Sequence, residues 1–234
     1  MRGGIEGRLH RTLASMRTLS IALLTLLVLA SGATAQAPAI VGAIYITDAG
    51  NNRITRISDM TGAGWTAFGA AGSGPNQFNT PVGIYVDTTG HIYVADSGNH
   101  RIVRINDFSG TGWVEYGLPG LIGNLPGQFS RPLGIFIDAG TRIYVADAGN
   151  NRLVRFSDMT GGGWVAFGSR GNRAGQFLTP SGIFVSSTGR IYVVDLGNNR
   201  IVRMNDMTGD GWTAFGAAGA EKDQFALPRS VFVR

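Results

Sequence analysis

The chain has 234 residues, with 36 glycines, 15% charged residues and no cysteine. That length allows one domain with a sizeable core, and the lack of cysteine excludes disulfides, thiolate metal sites, thiol nucleophiles and lipidated cysteines. The formal net charge is +5, but four of the 20 Lys and Arg and one of the 15 Asp and Glu precede residue 36. The remainder holds 16 against 14, a net of +2, too small an excess to argue for nucleic acid as a partner.

Residues 1–35 read as an export signal. Arg17 supplies the positive start, Leu19 to Ala30 the apolar stretch, and Ala33-Thr34-Ala35 an A-x-A cleavage site before Gln36. The apolar run is too short for a comfortable membrane span. Met16 begins a complete signal of its own and is an alternative start. After Gln36 no stretch is long and apolar enough to cross a bilayer, so the reading is a secreted or periplasmic protein with no membrane contact after cleavage. Residues 36–42 form a short linker.

From residue 43 to residue 234 the chain repeats itself. The best copy, RIYVADAGNNRLVRFSDMTGGGWVAFG (Arg142 to Gly168), recurs from Ala43, His91 and Arg190. Asp48, Asp96, Asp147 and Asp195 stand 48, 51 and 48 residues apart, and Trp65, Trp113, Trp164 and Trp212 keep the same intervals. Three extra residues fall in the linker between Tyr116 and Gln128. Each unit predicts four strands: PLGIFID, RIYVAD, RLVRFS and WVAFG in the third copy, joined by turns short enough to make neighbours antiparallel. Nothing shows a capped 3.6-residue period, so no substantial helix is expected.

Repeated four-stranded antiparallel units of this length predict an all-β chain folded as a β-propeller. Gly83, Gly134 and Gly182 lie inside first strands, where missing side chains permit close approach near an axis. Ser230 holds their place in the last copy. The ends are permuted: the repeat region opens on a second strand and finishes on a first strand, Ser230 to Arg234. That strand is expected to pair beside Ala43 to Thr47. The two readings left open are a closed four-bladed propeller and a fragment of a six-bladed one.

P-x-G-I-x-V-D, I-Y-V-A-D-x-G-N-x-R, the G-Q-F at Gly127 and Gly175, and Asn99-His100-Arg101 together resemble the NHL-repeat propellers. The resemblance covers residues 41–234. It implies blades of four strands, generally six to a propeller, and it embraces binding scaffolds as well as enzymes such as the amidating and streptogramin lyases, whose sites rely on histidine.

Three groups of residues are candidates for function. Asp48, Asp96, Asp147 and Asp195 open the D-x-G-N turns, and Arg53, Arg101, Arg152 and Arg200 follow them. A carboxylate ring could hold Ca²⁺, but repetition in every unit favours turn chemistry and an Asp–Arg ladder. No metal and no cofactor is expected. His91 and His100 are the histidines after the leader and stand at repeat positions held elsewhere by Arg and Asn. Two scattered histidines do not assemble a multi-histidine zinc site. GAGWTA, GGGWVA and GDGWTA match G-x-G-x-x-A, but they turn into a strand rather than opening a helix, so the match is accidental.

The linkers differ most between units. Leu121, Ile122 and Leu125 in one, and Arg170 and Arg173 in the next, are the candidate binding residues, on the face that carries the Asp-x-Gly-Asn-x-Arg turns. The reading is an exported, non-catalytic scaffold for a protein, glycan or small ligand. A metal-dependent lactonase- or lyase-like propeller is the alternative, and an oligomer is expected if the propeller is incomplete. Export carries its own prediction: mass spectrometry of the mature N-terminus should find Gln36 first. A mature chain that retains Leu19 to Ala30 would refute cleavage there.

Overall fold

The computed structural model describes residues 42–118 and 121–234. The proposed leader, residues 36–41 of the short linker, and two residues of the Leu118–Pro126 segment (positions 119 and 120) lie outside the described residues.

The first unit contains β1 (Ile44–Asp48), β2 (Arg53–Ile57) and β3 (Thr66–Phe68). A linker with the two-residue strands β4 (Ala70–Ala71) and β5 (Gln77–Phe78) leads to the second: β6 (Pro81–Val86), β7 (Ile92–Asp96), β8 (Arg101–Ile105) and β9 (Val114–Tyr116). The third holds β10 (Pro132–Ile137), β11 (Ile143–Asp147), β12 (Arg152–Phe156) and β13 (Val165–Phe167). After β14 (Ser169–Arg170) and β15 (Gln176–Phe177) comes the fourth: β16 (Pro180–Val185), β17 (Ile191–Asp195), β18 (Arg200–Met204) and β19 (Thr213–Phe215). The second, third and fourth units are four-stranded antiparallel sheets in chain order, and the first is three-stranded. The architecture is that of propeller blades.

Local chemistry accounts for the strands and their turns. In the second and third units the second and third strands are runs of Ile, Val, Tyr and Leu, buried on both faces between neighbouring sheets. Each D-x-G-N turn is a single three-residue 3₁₀ turn. It ends on a left-handed residue, Asn52, His100, Asn151 or Asn199, at φ between 50° and 58°. Asn tolerates that conformation better than most residues, and His shares the tolerance. No helix among the described residues is long and apolar enough to cross a membrane.

The core is not one mass but a series of junctions. One joins the first and second units around Ile54, Phe78, Val94 and Val103. The next joins the second and third around Ala95, Ile102, Phe129 and Val145, and the last joins the third and fourth around Ala146, Leu153, Phe177 and Val193. Trp113, Trp164 and Trp212 each lie half-buried in a junction, against the linker phenylalanine that precedes their own sheet, at 5.5, 5.5 and 5.2 Å between ring centres. Among the described residues no sheet precedes Trp65, which is 55% exposed. Three of the tryptophans thus fasten one sheet to the sheet before it.

First strands lie in a row, β1 beside β6, β6 beside β10, and β10 beside β16. Their approach is as close as backbone permits. A Cβ added to Gly134 would stand 2.1 Å from the Ser181 carbonyl oxygen, and one added to Gly83 would stand 2.4 Å from that of Leu133. The tail continues the row: Ser181 Oγ donates to the Arg229 carbonyl at 3.1 Å, and Phe232 meets Phe184 at 5.4 Å. This corrects the expected closure. Ser230 to Arg234 lies beside β16 and not beside Ala43 to Thr47, because it takes the next place in the row, whereas β1 stands at the other end. Within its sheet β1 pairs only with β2.

The row predicts a contrast between two glycines. Gly134→Ala should cost about 1–3 kcal/mol, the usual penalty of overpacking, whereas Gly50→Ala, where an added Cβ meets nothing within 4 Å, should be near neutral. Urea melts of the two variants against the parent chain test it.

Candidate binding face

The D-x-G-N-x-R turn and the linker before its unit are built into each other. Asp96 is fully buried. Its Oδ1 accepts from the Asn79 amide at 2.7 Å, and its Oδ2 accepts from Asn99 Nδ2 at 2.8 Å and Arg101 Nε at 2.9 Å. Asn99 also donates to the Gly72 carbonyl at 2.8 Å. The Arg101 guanidinium donates to the carbonyls of Ser73 (2.7 Å) and Gln77 (2.9 Å), pairs with Glu115, and lies 5.4 Å from the centre of the Trp113 ring. Asp147 with Asn150 and Arg152 repeats the set on the carbonyls of Gly123, Asn124 and Gln128. Asp195 with Asn198 and Arg200 repeats it on those of Gly171, Asn172 and Gln176.

The turn's last residue reaches the other way. Asn52 Oδ1 accepts from the Thr80 amide, Asn151 Oδ1 from Thr179, and Asn199 Oδ1 from Leu227. His100 Nδ1 does the same for Arg131 at 3.0 Å, so the histidine replaces asparagine function for function. Burial pushes the His100 pKa down, which favours the neutral ring this acceptor role needs. The four recipients, Thr80, Arg131, Thr179 and Leu227, each precede a proline and are themselves left-handed, at φ between 49° and 53°. Each bond thus holds a strained residue at the entrance to the next first strand.

Every turn therefore grips the linker behind it with Asp, Asn and Arg and the linker ahead of it with one more side chain. The first unit is the exception. Asp48 pairs with Asn51 and Arg53 at 2.8–2.9 Å but receives no linker amide among the described residues, and it is about a quarter exposed. Electrostatics follow the difference. The Asn51 and Arg53 donors hold the Asp48 carboxyl below its usual range, whereas burial pushes those of Asp96 and Asp147 up against the pull of their donors.

These carboxylates have their oxygens spent on the fold. Among the described residues no group of three or more His, Asp and Glu could hold a metal ion. His91 lies elsewhere, with Nδ1 3.1 Å from Asp87 Oδ2.

The linkers carry what varies. In each, a residue bridges the linker phenylalanine in parallel register: Ala71 with Phe78, Ile122 with Phe129, Arg170 with Phe177, and Ala218 with Phe225. Ala71 lies two positions after Gly69 and Ile122 five after Gly117, so the three extra residues enter before the bridge. Three positions beyond the bridging residue, the backbone amide of Gly74, Leu125, Arg173 or Glu221 donates to the side chain of Gln77, Gln128, Gln176 or Gln224. Ile122 and Arg170 therefore occupy one structural position, and Leu125 and Arg173 another. Sequence reading singled out these four residues without showing that they are equivalent. Leu121, Ile122 and Leu125 are 57%, 65% and 63% exposed, and Arg170 and Arg173 are exposed beside them in the chain's next linker. The two linkers flank one turn, Ala148–Asn151: Asn150 grips the first and Asn151 the second.

A concavity on the opposite face was missed. About 480 Å³ opens between the turns that join first and second strands, lined by Tyr85, Asp87, Phe136, Asp138 and Ser186. Its signal in the sequence was the aromatic at one position of every first strand. Tyr85, Phe136, Phe184 and Phe232 form a row at 5.0–5.4 Å between ring centres. Its carboxylates cap their own turns. Asp87 accepts from the Thr89 and His91 amides, and Asp138 from the Gly140 and Arg142 amides and from Arg142 Nε.

Comparison with known proteins bears on the fold. The NHL repeat model matches residues 78–105 and 177–204, the second and fourth units. No curated protein sequence matches significantly. Among solved structures, a streptogramin B lyase is similar at 22% identity over 76% of this chain and 52% of its own, with a TM-score of 0.54. Virginiamycin B lyase from Staphylococcus aureus is similar at 22% over 80% and 55%, with a TM-score of 0.55. A nidogen–laminin complex contributes a chain at 18% over 74% and 59%, with a TM-score of 0.55. The chain spans about half the length of these structures, and at such identities the likeness concerns the fold alone.

The clamp yields a prediction of position dependence. Arg101→Met leaves Asp96 buried without its counter-charge and should cost about 3–5 kcal/mol. Arg53→Met removes a partly exposed pair that grips no linker and should change stability little. Equal losses in chemical denaturation would show that the grip on the linker contributes nothing.

Proposed function

We propose, for a chain that belongs to the NHL-repeat β-propellers, that it is an exported, non-catalytic scaffold binding its partner on the linker face. The observation that carries this reading is the pair of equivalent linker positions. Around the arc they hold Ala71 and Gly74, then Ile122 and Leu125, then Arg170 and Arg173, then Ala218 and Glu221. Their backbone is fixed by the bridge and by the glutamine, so the side chains are free to differ while the fold stays constant. A small pair, an apolar pair, a basic pair and an acid-bearing position follow in order. Contiguous exposed apolar side chains beside cations fit a ligand that offers an apolar patch next to an anionic group.

The partner is a protein, glycan or small ligand of that character. The likeness to two lyases does not transfer their chemistry. A further similar structure is a catalytically inactive histidine-to-alanine variant of virginiamycin B lyase with quinupristin, whereas both described histidines here are engaged, His100 on the Arg131 amide and His91 on Asp87.

The test is a binding screen of the purified chain against glycan and peptide arrays. It is run beside Leu121→Ser/Ile122→Ser/Leu125→Ser and Arg170→Ala/Arg173→Ala variants. Ligands of the parent chain should lose at least about tenfold in affinity in each variant, equivalent to about 1.4 kcal/mol, with melting temperature unchanged. Ligands held equally well by both variants would move the site off this face.

A further inference from the structure

The concavity opposite the linker face gathers free hydroxyl groups around an aromatic floor. All of its lining comes from the second, third and fourth units, and none from β1 or the tail. Its volume of about 480 Å³ falls within the roughly 300–1,000 Å³ of small-ligand sites. Tyr85 and Phe136 meet edge to face at 5.1 Å between ring centres, and both are half-buried. Aromatic rings that line a cavity offer apolar area and a negative face, which suits C–H groups of slight positive charge.

The charged groups of the lining are already engaged. Asp87 and Asp138 cap their own turns, and Arg142 pairs with Asp138 at 2.7 Å. Hydroxyls are what remains. Each of the three turns contributes one to the lining, from Thr88, Thr141 and Ser187. Among the described residues these three hydroxyls and that of Tyr85 have no hydrogen-bond partner within the protein. Burial, with the Asp87 and Asp138 carboxylates nearby, pushes the Tyr85 pKa up, so its hydroxyl keeps its proton.

The third hydroxyl comes from a strained residue. The amides of Gly90, Thr141 and Gly189 close equivalent turns, donating to the carbonyls of Asp87, Asp138 and Ser186 at 3.0, 2.9 and 2.9 Å. All three residues are left-handed, at φ of 91°, 63° and 83°. Glycine adopts that backbone readily and a β-branched residue does not. The third unit also has Ala139 where the second and fourth have Thr88 and Ser187. It lacks a hydroxyl at the easy position and supplies one at the strained position instead. Strain of this kind collects at ligand sites.

We propose that this concavity binds a neutral carbohydrate, with the C–H face of one sugar ring on Tyr85 and Phe136. The sugar's hydroxyls exchange hydrogen bonds with those of Tyr85, Thr88, Thr141 and Ser187. A hydroxyl both donates and accepts, so a set of free hydroxyls matches a polyol. A cationic or anionic ligand calls for an opposite charge without a partner, and Asp87, Asp138 and Arg142 are each held by neighbours. The site is separate from the linker face and does not rest on the function proposed for that face.

Saturation-transfer NMR and titration calorimetry of the purified chain test this with the methyl glycosides of glucose, galactose, mannose and N-acetylglucosamine, and with cellobiose, lactose and chitobiose. At least one should bind, with transfer strongest to the C–H protons of one ring face. Tyr85→Phe and Thr141→Gly should each weaken that sugar about three- to tenfold, the loss of one hydrogen bond. Thr141→Gly should at the same time raise the melting temperature, an opposite sign that a purely structural threonine would not give. The triple serine variant at Leu121, Ile122 and Leu125 should hold the sugar as the parent does. The proposal is overturned if no member of the panel binds, or if Tyr85→Phe and Thr141→Gly both keep the parent affinity. Tighter binding of tetramethylammonium or inorganic phosphate than of any sugar would also overturn it, as would a sugar released only by the triple serine variant.

Discussion

The structure depends on one buried grouping, the aspartate, asparagine and arginine that close each turn on the linker behind it. A linker that runs between sheets has carbonyl and amide groups that neither sheet can pair, and leaving them dry would cost free energy at every junction. Arg101, Arg152 and Arg200 answer with a planar, five-donor group that reaches two or three carbonyls at once, which a lysine could not do. The aspartate orients the arginine and takes the linker amide, and the tryptophan ring covers the cation. A buried ion pair of this kind is poor evidence for stability as such. Its value here is positional, because it fixes how far one sheet stands from the next.

That view explains why the motif recurs without implying four active sites. A carboxylate ring looks in sequence like a cation site. In the fold, both oxygens of Asp96, Asp147 and Asp195 are already committed to donors, and the arginine that would repel a cation lies against them. The same reasoning accounts for His100 at a position held elsewhere by asparagine: a neutral imidazole nitrogen accepts from Arg131 as an asparagine oxygen would.

Much of this was legible in the sequence because repetition supplies its own controls. Strand order, short turns and the close approach at Gly83, Gly134 and Gly182 followed from strand-forming runs, turn residues and spacing. The partners of the arginines were half legible: a ladder with the aspartates was expected, and the linker carbonyls were invisible because backbone groups leave no mark in sequence. The direction of the tail was misjudged for a physical reason. Its sequence says that Ser230 to Arg234 is a first strand, but not whether it lies beside its chain's own β1 or takes the next place in the row. That choice rests on the curvature of the arc, which accumulates from small rotations at each junction and has no residue of its own. The concavity around Tyr85 and Phe136 was missed because its lining comes from three units and is continuous only in space.

A division of labour follows from the way the linkers are held. The residues that grip them act on backbone carbonyls and amides, and the glutamine binds a backbone amide, so none of these bonds depends on the side chain at the bridging position or three beyond it. Stability and surface display are thereby separated within each linker. A change at Ile122 or Arg170 alters what the face displays, whereas a change at Arg152 or Asp147 alters whether the face exists. The three inserted residues obey the same rule, entering between Gly117 and the bridge at Ile122, upstream of every gripped carbonyl of that linker. Length there can vary without disturbing the clamp. A repeat protein that must differ from unit to unit can place its differences safely only where the repeated bonds ignore side chains, and these linker positions meet that condition.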